Sequence, residues 1–240
     1  MRISGSTVLI TGASSGIGAA TARAVARAGG RTVLTGRDRE RLAAVAEETG
    51  GIPFAADVTQ PFEMAEPIDV LVNNAGVGWA GLFREMDEAD IDRLIAVNLA
   101  APIRLARALV PGMVERGRGH VVFVASIAGA TGVRDEAVYS ATKAGLITFA
   151  DSLRYELAGT GVGVSVVVPG VIDTPFFERR GTPYKRRRPA PIPAERVART
   201  IVAAIEHGRA EVYQPRWTWV PARIRGGVPW VFRRLAEKFG

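Results

Sequence analysis

Apolar residues fall into two alternating textures along the chain. Short runs that are apolar at nearly every position read as strands: Thr7–Ile10, Thr32–Thr35, Pro53–Ala56, Asp69–Asn73, His120–Ala125, Val162–Val168 and a late Ala210–Gln214. Between them, Ile17–Ala28, Arg39–Thr49, Asp87–Val114 and Glu136–Ala158 repeat their apolar positions at helical spacing and hold little proline. A run such as Val121-Val122-Phe123-Val124 has no polar alternation, which suits a strand covered on both faces. The alternation of strand and helix predicts an α/β fold, a single-domain doubly wound parallel sheet. The Val58–Ile68 interval is too short for more than a turn or two, so a trimmed or missing helix is expected there. From Thr174 onward, Pro175, Pro183, Pro189, Pro191 and Pro193 interrupt a basic stretch, Lys185-Arg186-Arg187-Arg188. A last regular helix is expected from about Ala194 to His207. We read 1–214 as the main domain, with 175–192 as a lid loop, and 215–240 as a basic extension holding three of the four tryptophans.

Composition narrows the chemistry. The chain has 240 residues, 48% of them hydrophobic, which is a globular composition. It has no cysteine, and its two histidines, His120 and His207, share no ligand spacing. Thiolate nucleophiles, cysteine-type metal sites and Ser-His catalysis are therefore poor candidates, and no metal site is expected. The net charge of +7 is unevenly spread: residues 1–177 carry 16 basic and 19 acidic side chains, residues 178–240 carry 15 basic and 5 acidic. Only three of the basic residues are lysines: Lys143, Lys185 and Lys238. No signal peptide or membrane-spanning run is evident, so a cytoplasmic protein is expected.

Glycines follow the first strand in Thr11-Gly12-Ala13-Ser14-Ser15-Gly16-Ile17-Gly18. They allow a tight turn and the close approach of a pyrophosphate to a helix N-terminus, where free N–H groups favour an anion. The second strand ends in Gly36-Arg37. An arginine here suits a 2′-phosphate, where an acidic residue would suit a ribose hydroxyl, so NADP is favoured over NAD. Asp38 is well placed to cap the following helix. Tyr139 and Lys143 lie one helical turn apart, and a cation beside a phenol would lower the phenol's pKa and fit it for proton transfer. Ser126 ends the fifth strand at the ligand-binding edge expected of such a sheet.

Taken together, Thr11-Gly-x-x-x-Gly16-x-Gly18, Asn73-Asn-Ala-Gly76, Asn98, Ser126, Tyr139-x-x-x-Lys143 and Pro169-Gly170-x-x-x-Thr174 resemble the short-chain dehydrogenase/reductase superfamily of Rossmann-type oxidoreductases over residues 5–214. The resemblance implies that Tyr139 is the acid/base and that Ser126 binds the substrate oxygen. Lys143 would hold the nicotinamide ribose and depress the Tyr139 pKa, and Asn98 would position a relay water. It implies a cofactor site of Gly12, Ser14, Ser15, Gly16, Ile17, Gly18, Arg37, Asp57, Val58, Asn74, Ala75, Gly76, Pro169, Gly170, Ile172 and Thr174, with Tyr139 and Lys143. It also implies a homodimer or homotetramer. The expected activity is an NADP(H)-dependent carbonyl reductase or alcohol dehydrogenase on a lipophilic small molecule. The alternatives are a 3-oxoacyl thioester reductase and a non-catalytic NADP-binding sensor.

Three readings compete for 178–240: a solvated loop followed by a covering helix, a membrane-surface contact, and recognition of an anionic substrate handle by Lys185–Arg188. For the second, Val228, Val231, Phe232, Leu235 and Phe239 follow helical spacing, with Arg233, Arg234 and Lys238 between them. Nucleic acid is not an expected partner, because no recognition module accompanies the charge.

Overall fold

The computed structural model describes residues 1–62, 64, 66–184, 188–230 and 232–234. In chain order the elements are β1 (Thr7–Thr11), α1 (Gly16–Arg27), β2 (Arg31–Gly36), α2 (Arg39–Thr49), β3 (Ile52–Ala55), β4 (Val70–Asn73), α3 (Glu88–Ile95), α4 (Ala101–Glu115), β5 (Gly119–Val124), α5 (Ile127–Thr131), α6 (Ala137–Glu156), β6 (Val162–Pro169), β7 (Ile172–Asp173), α7 (Phe176–Arg179), β8 (Ile192–Pro193), α8 (Ala194–His207), β9 (Glu211–Gln214) and α9 (Trp219–Gly227). Seven strands form one parallel sheet in the order β3-β2-β1-β4-β5-β6-β9. The order reverses between β1 and β4, and a cleft at the C-terminal strand ends is expected at that switch point.

Two covered faces explain the apolar strands. Alternate residues point to opposite sides: Val8, Ile10, Val122 and Val124 pack under α1, α2 and α8, while Leu9, Val121 and Phe123 pack under α4 and α6. Helix α8 covers the core through Val197, Ile201 and Ile205, all fully buried. Each such side chain contributes about 1.5–3 kcal/mol of burial free energy. Among the described residues no helix lies between β3 and β4. Phe62 and Met64 pack onto the core in its place, Phe62 with its ring 5.2 Å from that of Phe54.

The expected single helix Asp87–Val114 is interrupted. Helices α3 and α4 are joined through a π-turn at Ala96–Ala100 that carries the buried Asn98. The extra residue in that turn reorients side chains and frees a carbonyl from the regular ladder, and such turns favour functional positions. The run Glu88–Glu115 is long and apolar enough to cross a membrane, yet Leu94, Leu105 and Met113 are buried within the fold. The lid loop is pinned at its base by the pair β7–β8, in which Ile172 lies beside Ile192 and Asp173 beside Pro193.

His120 shows how polarity is managed inside the sheet. Its Nε2 lies 2.8 Å from Ser165 Oγ, and that hydroxyl donates to the Arg209 carbonyl at 2.6 Å. Because the serine proton is committed, Nε2 carries the imidazole proton and Nδ1 is bare, facing Gly163. Burial pushes the His120 pKa down to about 4. The unfolded chain, with a histidine near 6.5, therefore binds more protons between pH 6.5 and 4. The stability contributed by neutral His120 is full above pH 6.5 and is lost as pH falls toward 4, by about 3 kcal/mol. Urea melts across this window should show that loss, and His120→Gln should flatten it.

Candidate active site

A cleft of about 1120 Å³ runs along the C-terminal ends of the strands. Its walls include Gly12, Ser14, Ser15, Gly16 and Ile17 after β1, Arg37 after β2, Asp57 and Val58 after β3, and Asn74, Ala75 and Gly76 after β4. Ser126 follows β5, Tyr139 and Lys143 come from α6, and Pro169, Gly170, Ile172 and Thr174 lie at and beyond the end of β6. The sheet thus gathers residues far apart in sequence along one edge.

Two expected site residues stand behind this wall. Gly18 does not line the cleft. A Cβ there would lie 2.2 Å from the Gly12 carbonyl oxygen, so the missing side chain lets α1 pack against the loop. Asn98 is fully buried. Its Oδ1 accepts from the Val77 N–H at 2.8 Å, and its Nδ2 donates to the Val77 carbonyl at 2.9 Å. Its amide fixes the chain after Gly76, and its side chain does not line the cleft. The Asn74 amide likewise turns back, donating to the Thr11 carbonyl at 2.9 Å, which ties the β4 end to the glycine loop.

The N-terminus of α1 is built to accept an anion. Ser15 occupies the N-cap position, but its side chain makes no capping bond, and the first turn contains no acidic residue. The leading N–H groups therefore have no side-chain partner from the cap. Gly12 at φ +67° abuts Ala75 Cα, 2.9 Å from where a Cβ would be, so the loop lies flat against the β4 end. At Gly76 a Cβ would stand 3.5 Å from Lys143 Nζ, and its absence leaves room beside the ammonium. These features fit a dinucleotide lying along the cleft.

Catalytic candidates meet at the far end. The Ser126 hydroxyl accepts from the Ala128 N–H at 3.2 Å and caps α5, which fixes its side chain at the end of β5. Burial raises the Tyr139 pKa above its ordinary value, and hydrogen bonding from Ser126 offsets part of the rise. The expected depression by Lys143 is absent. The ammonium lies 5.9 Å from the centroid of the phenol ring and donates to the Val124 carbonyl at 2.9 Å. Burial pushes Lys143 down to about 8.

Arg179 and Arg180 carry no signal in the sequence, and with the lid phenylalanines they complete the site. Phe176 on α7 lies over Tyr139, with ring centroids 5.6 Å apart, and Phe177 continues the stack to Tyr184. Arg180 forms a largely buried ion pair with Glu136, the residue preceding α6, and lies 4.8 Å from the Phe177 ring centroid. Arg179 Nη1 donates to Ser15 Oγ at 3.0 Å. These contacts cross long sequence separations within a proline-broken loop, where periodicity gives no signal.

The family model for short chain dehydrogenase matches residues 6–185. The chain belongs to the short chain dehydrogenase family. It is 40% identical over 230 residues to the ketoacyl reductase HetN of a Nostoc species, covering 88% of this chain and 78% of that protein. A short-chain dehydrogenase from Sphingobium yanoikuyae in complex with NADPH aligns with a TM-score of 0.80 at 32% identity, covering 92% of this chain and 94% of that one. A short-chain dehydrogenase from Streptomyces avermitilis aligns with a TM-score of 0.82 at 30% identity, covering 99% of this chain and 97% of that one, which reaches into the C-terminal extension. Other neighbours of this fold are described with NADP and with NAD. This short chain dehydrogenase is therefore a nicotinamide-dependent oxidoreductase of the class that acts on CH–OH and C=O groups.

The extension stays outside the cleft: among the described residues, none beyond Pro189 lines it. Ala222 packs into the core beneath α5, and Arg225 Nη1 donates to the Ala130 carbonyl at 2.9 Å. Trp217, Trp219 and Trp230 remain 55%, 46% and 64% exposed. Of the expected amphipathic pattern, Val231, Leu235, Lys238 and Phe239 lie outside the described residues, as do Lys185, Arg186 and Arg187 of the basic lid segment.

Proposed function

We propose that this short chain dehydrogenase is an NADP(H)-dependent reductase of a ketone carried on an apolar molecule. The observation that carries this reading is the placement of buried Tyr139 beside Ser126, one turn from Lys143, at the end of a cleft roofed by aromatic residues. The bound cofactor supplies the hydride. Ser126 and Tyr139 hold the substrate carbonyl oxygen by hydrogen bonds and orient it. As negative charge develops on that oxygen, Tyr139 Oη releases its proton to it. Lys143 places a positive charge behind the phenol and binds the ribose hydroxyls. Asn98 keeps the Gly76–Val77 strand end in register beside Lys143. Phe176, Phe177, Val133 and Ile127 exclude water from the substrate end and favour a lipophilic partner.

The preference for NADP rests on charge. Arg37 follows β2, is exposed at the cleft and forms no ion pair among the described residues. The neighbouring carboxylate, Asp38, accepts from the Arg41 N–H at 3.0 Å as the α2 cap. Its capping role leaves Arg37 to meet a 2′-phosphate. A second reading, reduction of a 3-oxoacyl thioester, draws support from the likeness to a ketoacyl reductase. The extension adds an interfacial role: Trp217, Trp219 and Trp230 are exposed beside Arg216, Arg223 and Arg225, a composition that suits an anionic lipid surface.

Four measurements test these readings. Tyr139→Phe should lower kcat/KM for ketone reduction by about 10²–10⁴-fold while NADPH binding is retained. A panel of lipophilic ketones and 3-oxoacyl thioesters, run with the wild type, identifies the substrate class; no turnover on any of them overturns the enzymatic reading. Arg37→Ala should weaken NADPH binding by about tenfold or more and leave NADH binding unchanged. In co-sedimentation, the full chain should partition onto phosphatidylglycerol vesicles, and replacing the three exposed tryptophans by serine should abolish this; equal partition of both forms refutes the lipid contact.

A further inference from the structure

We propose that Arg179, on the lid, is a clamp for the cofactor pyrophosphate and makes closure of the substrate pocket depend on the cofactor. This inference rests on the nicotinamide-cofactor reading above and adds a residue that the sequence motifs do not contain. Its guanidinium reaches across 164 residues of sequence to donate to Ser15 Oγ at 3.0 Å. Ser15 is the N-cap of α1, the helix whose leading N–H groups receive no side-chain cap and whose first turn has no acidic residue.

An arginine normally finds a carboxylate where one is near, and three of the carboxylates lining the cleft are engaged elsewhere. Asp38 caps α2 and pairs with Arg41 at 3.3 Å. Asp57 accepts from the Thr59 N–H and hydroxyl, at 2.9 and 2.8 Å. Glu136 pairs with Arg180. Among the described residues Arg179 forms no ion pair, and its guanidinium donates to a neutral hydroxyl at the edge of an anion site. A pyrophosphate at the α1 N-terminus offers that guanidinium two charged oxygens in place of the serine, a stronger and bidentate interaction.

The same short helix carries the substrate side of the pocket. Phe176, one turn before Arg179, lies over the Tyr139 ring, and Arg180 secures the lid to the start of α6. Drawing Arg179 onto the cofactor therefore holds Phe176 over the acid.

Calorimetric titration of the full chain with NADPH and with NADH tests the clamp without turnover. Arg179→Gln should raise both dissociation constants by about tenfold, as expected for loss of one charge-assisted hydrogen bond. Arg179→Lys should recover part of the loss, and the glutamine variant's affinity should fall less steeply with added salt. Because Arg179 is exposed, thermal melts of both variants should match the wild type. Unchanged constants for both cofactors overturn the proposal, and so does a loss confined to NADPH, which would place Arg179 on the 2′-phosphate. A wild type that binds neither cofactor overturns the proposed function itself, so the two failures are distinguishable.

Discussion

No side chain fits between the start of α1 and the end of β1. A Cβ at position 18 would stand 2.2 Å from the Gly12 carbonyl oxygen, and one at position 12 would stand 2.9 Å from Ala75 Cα. This steric constraint brings a helix N-terminus flush against the β1 and β4 strand ends. The rest of the site is arranged around the resulting pocket of N–H groups. Asn74 ties the loop to β4, and Thr174, directly after β7, closes against Gly16. Ser15 is left without a capping duty, so its hydroxyl is free to receive Arg179.

At the other end of the cleft, burial rather than proximity sets the chemistry. Tyr139 and Lys143 are both nearly inaccessible, and withdrawal from water penalises the phenolate and the ammonium alike. The cation therefore sits lower than an ordinary lysine and the phenol higher than an ordinary tyrosine. The Ser126 hydrogen bond offsets part of that rise in Tyr139. The lysine satisfies its charge on the Val124 carbonyl, at the end of the strand that leads to Ser126.

The charge asymmetry of the chain also takes on a spatial meaning. Part of the basic C-terminal quarter is structural: α8 seals one face of the sheet, and Arg225 anchors the extension to α5. Arg179 and Arg180 serve the lid. What remains outward is a run of arginines interleaved with exposed tryptophans, away from the cleft.

The sequence by itself determined the strand and helix order, the two-sided burial of the sheet, the capping role of Asp38 and the family to which the chain belongs. These are local or pattern properties: apolar period, glycine placement and motif spacing survive translation into one dimension. Of the cleft-facing residues expected from motifs, all but Gly18 and Asn98 line the cleft. Tertiary structure alone decided that those two act from behind it and that Asn98 sits in a π-turn. It also decided that burial raises Tyr139, that Arg179 and Arg180 join the site, and that Phe176 lies over the Tyr139 ring. Each of these depends on burial or on contacts between segments distant in sequence. Desolvation and long-range packing are set by the assembled core, and no spacing of letters encodes them.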